Sequence, residues 1–380
     1  MASDTQAEAA RSPSGERARP ERQFILTLSR IWAWVFLILL IVFFSITVKA
    51  TSGGDVNFLT LRNSQNILVA ITPVLLMGLG QTFVIISAGI DLSVGWVMGL
   101  SSVISALVVV DLVAKGTEVA IAIIIGFAAG VGAAAIVGLI NGVIIARLKV
   151  PPFIVTLGMS FIVRGAALLF SGGQTIAGLP PALRDLGNDS LLYWIGGDGG
   201  GLHFLTRPDV TGAQLRALDR ILPWPVIITA IVVAVAIFIL GRTQFGRHTY
   251  AIGGNRDASL RAGVPVDRHI IVLYIMSAAT AGIAGCLHTA RFSGGSPIAG
   301  DPLLLGSIAA VVIGGVSLFG GEGKITGTII GALIIAVLQT GLVMLGVEAF
   351  WQFIVIGTVV ILAVLIDQSR DLIIGRMETG

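Results

Sequence analysis

The chain is poor in the residues that most soluble enzymes use for chemistry. Its 380 residues include one cysteine, four histidines and three tyrosines, and only 12% are charged, about half the charged share of a soluble domain. The single Cys286 excludes an intrachain disulfide and any zinc site built on several thiolates. No two histidines stand at metal-ligand spacing, so no metal site is read. A net charge of +3 gives no support to nucleic-acid binding.

What the chain has instead is hydrocarbon: 55% hydrophobic residues and a mean hydropathy of +0.95. The apolar residues gather into runs of roughly 20, the length at which a helix crosses a hydrocarbon core of about 30 Å. Ten such runs are read, at 31–48, 67–87, 92–110, 119–145, 153–170, 223–240, 270–290, 303–318, 325–345 and 350–366. They are apolar all round, without the alternation of a barrel strand. The expected fold is an all-α polytopic membrane protein. Residues 1–23 are polar and lack an apolar face, which reads as a disordered cytoplasmic tail ahead of a membrane domain over 24–380. The first run is too long for a signal-peptide core of about 7–15 residues and is taken as a retained helix.

Arginine and lysine set the orientation, because short cytoplasmic loops are enriched in them. Arg11, Arg17, Arg19, Arg22 and Arg30 precede the first run, Arg147 and Lys149 follow the fourth, and Arg242 to Arg268 follow the sixth. Lys324 follows the eighth and Arg370 and Arg376 the tenth, so all of them fall on one side with both termini cytoplasmic. The segment 171–222 is then an extracytoplasmic loop, and 241–269 a cytoplasmic one.

Two glycine-interrupted stretches echo each other, 89–95 (GIDLSVG) and 315–321 (GVSLFGG), each closing one apolar run and opening another. Interruptions of this kind point to the binding region of a transporter. Within the first, Asp91 and Ser93 have two readings. They cap the exposed amides of a new helix, or the carboxylate lines the path, since a charge at membrane depth is costly unless it is paired. Arg164, in the middle of an apolar run, is the expected partner of Asp91. Asn141, Thr156, Ser160, His288 and Gln339 are further polar residues in apolar surroundings, read mostly as interhelical hydrogen bonders, with Asn141 and Thr156 retained as candidates for the path.

In the loop 241–269, Gly246 and Arg247 begin a stretch that runs to Asn255. Asn255 is an N-cap, Asp257 and Ala258 start a short helix, and Gly263 with Pro265 stops it. No catalytic pattern is complete: near Gly323 and Lys324, Leu318 stands where a phosphate loop needs its first glycine and Ile325 where it needs Ser or Thr. ATP hydrolysis is not expected of this chain.

Four blocks in order, GIDLSVG at 89–95, PPFIVTLG at 151–158 followed by Arg164-Gly165, GRHTYAIGGN at 246–255, and 308–321, which opens IAAVVIGG, resemble the ribose, xylose and galactose type of ABC importer permease. The resemblance runs from about residue 30 to the end and includes the short cytoplasmic helix that docks on the motor subunit. It implies a type II-like permease homodimer in the bacterial inner membrane, surrounded by membrane lipids. The implied partners are an ATPase with two nucleotide-binding modules, which would hold the ATP and magnesium, and a periplasmic sugar-binding protein. Leu304-Leu305-Gly306-Ser307 departs from the acidic approach common in relatives. Permeases for nucleosides, branched-chain amino acids or a sugar-like signalling molecule share the fold, and a secondary transporter on ten helices is the reading from another class.

Overall fold

The computed structural model describes residues 20–196, 201–205, 207–210, 212, 218–359, 361, 362 and 365, with side chains from residue 32 onward. Residues 1–19 of the expected tail and 366–380 lie outside them. Helix α1 covers Pro20–Thr51, α2 Leu61–Ile86, α3 Val94–Ala114, α4 Val119–Arg147 and α5 Pro152–Ser171. Short helix α6 (Pro181–Asn188) follows. It leads to a small antiparallel sheet in the order β2-β1-β3, from β1 (Leu192–Ile195), β2 (Leu202–Phe204) and β3 (Leu218–Arg220). Then come α7 (Trp224–Arg242), α8 (Gln244–Gly254), α9 (Arg256–Arg261), α10 (Val266–Phe292), α11 (Leu304–Ile313), α12 (Ile325–Met344) and α13 (Ala349–Val359).

Helix ends follow local chemistry. The Thr60 hydroxyl accepts from Asn63 N–H at the start of α2, Pro152 and Pro225 sit in first turns where their missing N–H costs nothing, and left-handed Gly172 ends α5. Pro73 inside α2 deprives the Val69 carbonyl of its helical donor. The Thr72 hydroxyl supplies a replacement at 2.9 Å.

Helices α2 and α10 form the centre. Helices α3 and α4 pack against α10, and α11, α12 and α7 against α2; α5 packs in turn on α3 and α4, and α1 on α12. Close approach depends on glycine: a Cβ on Gly142 would lie 2.7 Å from the Ile271 Cα, and one on Gly80 2.6 Å from the Ser277 Cα. Lipid-like surroundings supply little hydrophobic drive between helices, so small residues at the contacts let backbone meet backbone.

Among the described residues eight helices are long and apolar enough to cross a membrane; of the other two expected spans, 303–318 is a shorter helix and 350–366 is described only in part, helical over Ala349–Val359. The expected run 303–318 holds only the ten residues of α11, about 15 Å or half a crossing. Its helix stops where Gly315 turns left-handed at φ +81°. The other half of the crossing is turns and bends that end in a single 3-10 turn, Asp301–Leu303. Residues 293–303 return into the bundle from the end of α10, so that Ser296 N–H meets Ser102 Oγ at 3.0 Å and a Cβ on Gly95 would sit 2.9 Å from the Gly300 oxygen.

Candidate functional site

Helices α2 and α3 do not meet at the bundle's end. Between them residues 87–93 turn back inward through left-handed Ala88 (φ 62°) and place Asp91 beside Ser277. Ser277 lies eleven residues beyond the start of α10, about 16 Å along its axis. Irregular backbone at such depth persists only where protein buries it or a cavity faces it. Here two interrupted crossings, 87–93 and 293–303, lie on either side of the start of α3.

The Asp91 carboxylate is fully buried. Its Oδ1 accepts the Ser93 N–H at 3.0 Å and the Ser93 hydroxyl at 2.6 Å; its Oδ2 accepts the Ser277 hydroxyl at 2.9 Å. Ser93 Oγ accepts from Asn141 Nδ2 at 3.0 Å. Gln81 Nε2 donates to the Asp91 carbonyl, and the Tyr274 hydroxyl donates to the Ile90 carbonyl at 3.3 Å. Thr156 bonds back to Pro152 O at 2.9 Å within α5 and reaches the Ile90 carbonyl at 3.4 Å. Side chains from α2, α4, α5 and α10 thus hold one turn. Asp91 accepts the Ser93 N–H ahead of α3, but the Ser93 hydroxyl donates to Asp91 and makes no capping bond to the first turn of α3, so the expected cap by Ser93 is not formed. Gln81, Tyr274 and Ser277 were not singled out in the sequence, although Gln81 and Ser277 are isolated polar residues in apolar runs.

The expected contact between Asp91 and Arg164 is not formed. Val155, Thr156, Met159, Ser160, Val163 and Ala167 make the buried face of α5, and Arg164 lies past its edge, exposed, with its guanidinium 4.8 Å over the Trp96 ring. Hydroxyl and amide donors satisfy the carboxylate instead, and the ion pairs of the described residues lie elsewhere. Two buried acceptors of the cluster, Gln81 Oε1 and Asn141 Oδ1, have no hydrogen-bond partner.

The loop 241–269 forms two short helices. The Thr243 hydroxyl caps α8 and the Asn255 side chain caps α9 by accepting Ala258 N–H at 2.8 Å, while Gly263 ends α9 at φ +83°. Arg247, Asn255, Asp257, Ala258 and Gly263 are exposed, and Gly246 is buried against the end of α7. The stretch from Gly246 to Asn255, read in the sequence as a lead-in, is helical through Gly254 because its glycines permit close packing. Gly253 lies directly on the Ile86 carbonyl, where Gly321 N–H also donates at 2.8 Å. The end of α2, just ahead of the first glycine-rich stretch, therefore meets the second stretch at one end of the bundle, with α8 resting on both.

Tyr250 of α8 fixes the same junction, donating its hydroxyl to the Gly323 carbonyl at 2.7 Å. Burial holds its phenol above the ordinary value of 10. A raised folded value means that this contribution is complete below the unfolded value of about 10 and is lost as pH rises past it. Tyr250→Phe should cost about 1 kcal/mol and flatten the alkaline fall of the melting temperature, measured by thermal unfolding across neutral to strongly alkaline pH. An alkaline limb identical to that of the unaltered protein would contradict this.

Comparison with known proteins agrees with this architecture. Residues 63–364 match the family described as branched-chain amino acid transport system / permease component. The chain belongs to that family. The permease is 36% identical over 326 residues to the ribose import permease protein RbsC of Escherichia coli K12, covering 86% of this chain and 92% of that one. It is 38% identical over 294 residues to the fructose import permease protein FrcC of Rhizobium meliloti, covering 77% and 74%. With the xylose transport system permease protein XylH of Haemophilus influenzae it shares 35% over 380 aligned positions, covering 91% and 99%. No solved structure matches. The permease is a multi-pass protein of the inner membrane.

Proposed function

We propose that the permease, as a homodimer, forms the membrane path of an importer for a monosaccharide or related polyol. In this reading a separate ATPase with two nucleotide-binding modules powers it, and a periplasmic sugar-binding protein delivers the solute to the side that carries α6 and the small sheet. The observation that carries the reading is a continuous contact. Exposed α9 leads through α8 and Gly253 to Ile86 and Gly321, and from there the turn 87–93 reaches the buried cluster at Asp91. A motor that moves α9 thereby acts on the interrupted crossings. Gln81 Oε1 and Asn141 Oδ1 are acceptors suited to hydroxyl donors. Arg247, Asp257, Ala258 and Gly263 are assigned to the motor contact, with Asn255 shaping the helix and Gly246 seating it. Asp91, Ser93, Asn141 and Thr156 are assigned to the path or its support, and Arg164 to its periphery.

Purification of the tagged permease from its host membranes, followed by mass spectrometry, tests the assembly. Recovery of an ATPase with duplicated modules and a periplasmic binding protein is expected. Recovery of the chain alone, with solute uptake persisting in ATP-free vesicles, would place it among secondary transporters.

A further inference from the structure

Three cavities follow one another along α2, and their linings change character in order. The first, about 400 Å³, lies where α2 begins and α10 ends; Arg62, Arg207, Arg220 and Arg291 line it, with no Asp or Glu among the described residues of its lining. The second, about 300 Å³, shares Val69 and Arg291 with the first and continues past Thr72, Pro73 and Leu287. The third, about 290 Å³, shares Thr72 with the second and opens between α2, α7 and α12. From Arg62 to Leu75 the series covers about 20 Å of helix. It passes from basic to mixed to almost wholly apolar.

The basic end has donors available for a ligand. Gln65, 7% exposed, lines the cavity, and its buried Nε2 has no partner. Arg220 donates one N–H to the Asn188 carbonyl, and Arg291 lies 5.8 Å from the Phe292 ring; neither forms an ion pair among the described residues. Each guanidinium has five N–H donors in a fork that matches phosphate. Arg220 and Arg291, without an ion pair among the described residues, repel one another until an anion joins them. At the apolar end, Val226, Ala230, Val233, Ala234 and Ile237 present one face of α7 to the third cavity, with Ala230 and Ala234 exposed at its rim.

A free phosphate would have no use for the apolar half, and an uncharged sugar, though its hydroxyls can accept from the arginines, brings no negative charge to them. A lipid uses both: its headgroup phosphate suits the guanidinium forks and its acyl chain the apolar cavity. We propose that this series is a binding site for an anionic phospholipid, with its phosphate among Arg207, Arg220 and Arg291 and one acyl chain along α7 between α2 and α12.

Native mass spectrometry of the full-length permease, released from detergent micelles carrying phosphatidylglycerol or phosphatidylcholine of matched chains, tests it. The unaltered protein should retain one phosphatidylglycerol with about tenfold preference. Arg220→Gln with Arg291→Gln should abolish that preference, and Ala234→Trp, which fills the third cavity from its exposed rim, should reduce retention of both lipids. Should the double arginine variant fail to fold, Ala234→Trp still decides the matter. Equal retention of the two lipids by the unaltered protein, or retention untouched by Ala234→Trp, would overturn the proposal. So would inorganic phosphate that displaces phosphatidylglycerol while Ala234→Trp changes nothing, an outcome that assigns the arginines to a free anion.

Discussion

Replacement of Asp91 by alanine is expected to stop transport and to lower stability by about 3 kcal/mol. The carboxylate accepts three hydrogen bonds, and without it the Ser93 N–H and the Ser277 hydroxyl remain buried and unpaired, at about 1–3 kcal/mol for each orphaned donor. Asp91→Asn separates hydrogen bonding from charge. Its amide oxygen still serves the Ser93 groups, and its NH₂ can donate to Ser277 Oγ, which is able to act as acceptor. The asparagine variant should therefore lose about 1 kcal/mol and keep much of its transport. Thermal unfolding of the purified variants reads the difference. An asparagine variant as unstable as the alanine one would mean that the negative charge itself is required, and the capping account would fail.

Gly253→Val is expected to disconnect hydrolysis from uptake. A side chain there would press on the Ile86 carbonyl and come within 2.6 Å of Gly321 N, both backbone atoms that cannot swing aside. The junction of α8 with the end of α2 and the second glycine-rich stretch would have to open, while exposed α9 would remain available to a motor. In the assembled transporter, ATP hydrolysis should continue while uptake falls by about tenfold or more, as loss of at least 1.4 kcal/mol of coupling requires. The neighbouring Gly254 is the control: a Cβ there meets nothing within 4 Å, so Gly254→Ala should transport normally. Equal effects of the two substitutions would remove the junction from the coupling route.

Much of this architecture is legible in local chemistry. The α9 helix follows from Asn255 as its cap and Gly263 as its stop, both bonded within a few residues. The Asp91–Ser93 pair is likewise local, spanning two positions. Apolar run length locates the eight long helices but misjudges 303–318: the run is unbroken in hydropathy, yet only Leu304–Ile313 of it is α-helix, with Leu303 closing a 3-10 turn and residues 314–318 forming the turn that follows.

Partner choice across the bundle is less legible, because it depends on how each helix is rotated. Arg164 is one residue past the buried face of α5, which is enough to direct it to Trp96 and away from Asp91. Ser277 meets Asp91 across 186 positions, and the four cavity arginines come from four separate segments. The single polar residues in apolar runs, Gln81 and Ser277 among them, were the available signal. Without the fold they cannot be sorted from residues that bond back to their own helix, as Ser160 does to Leu157.

The central claim is that this chain is the path of an ATP-driven sugar importer, and uptake by the reconstituted assembly tests it most directly. The permease would be placed in sealed proteoliposomes with its copurified ATPase and binding protein, and accumulation of labelled pentoses and hexoses followed with ATP or a non-hydrolysable analogue supplied on the α9 side. Accumulation of one sugar class that needs both the binding protein and hydrolysable ATP is the predicted result. Uptake that proceeds with the analogue, or that follows an imposed proton or sodium gradient in its place, would contradict it.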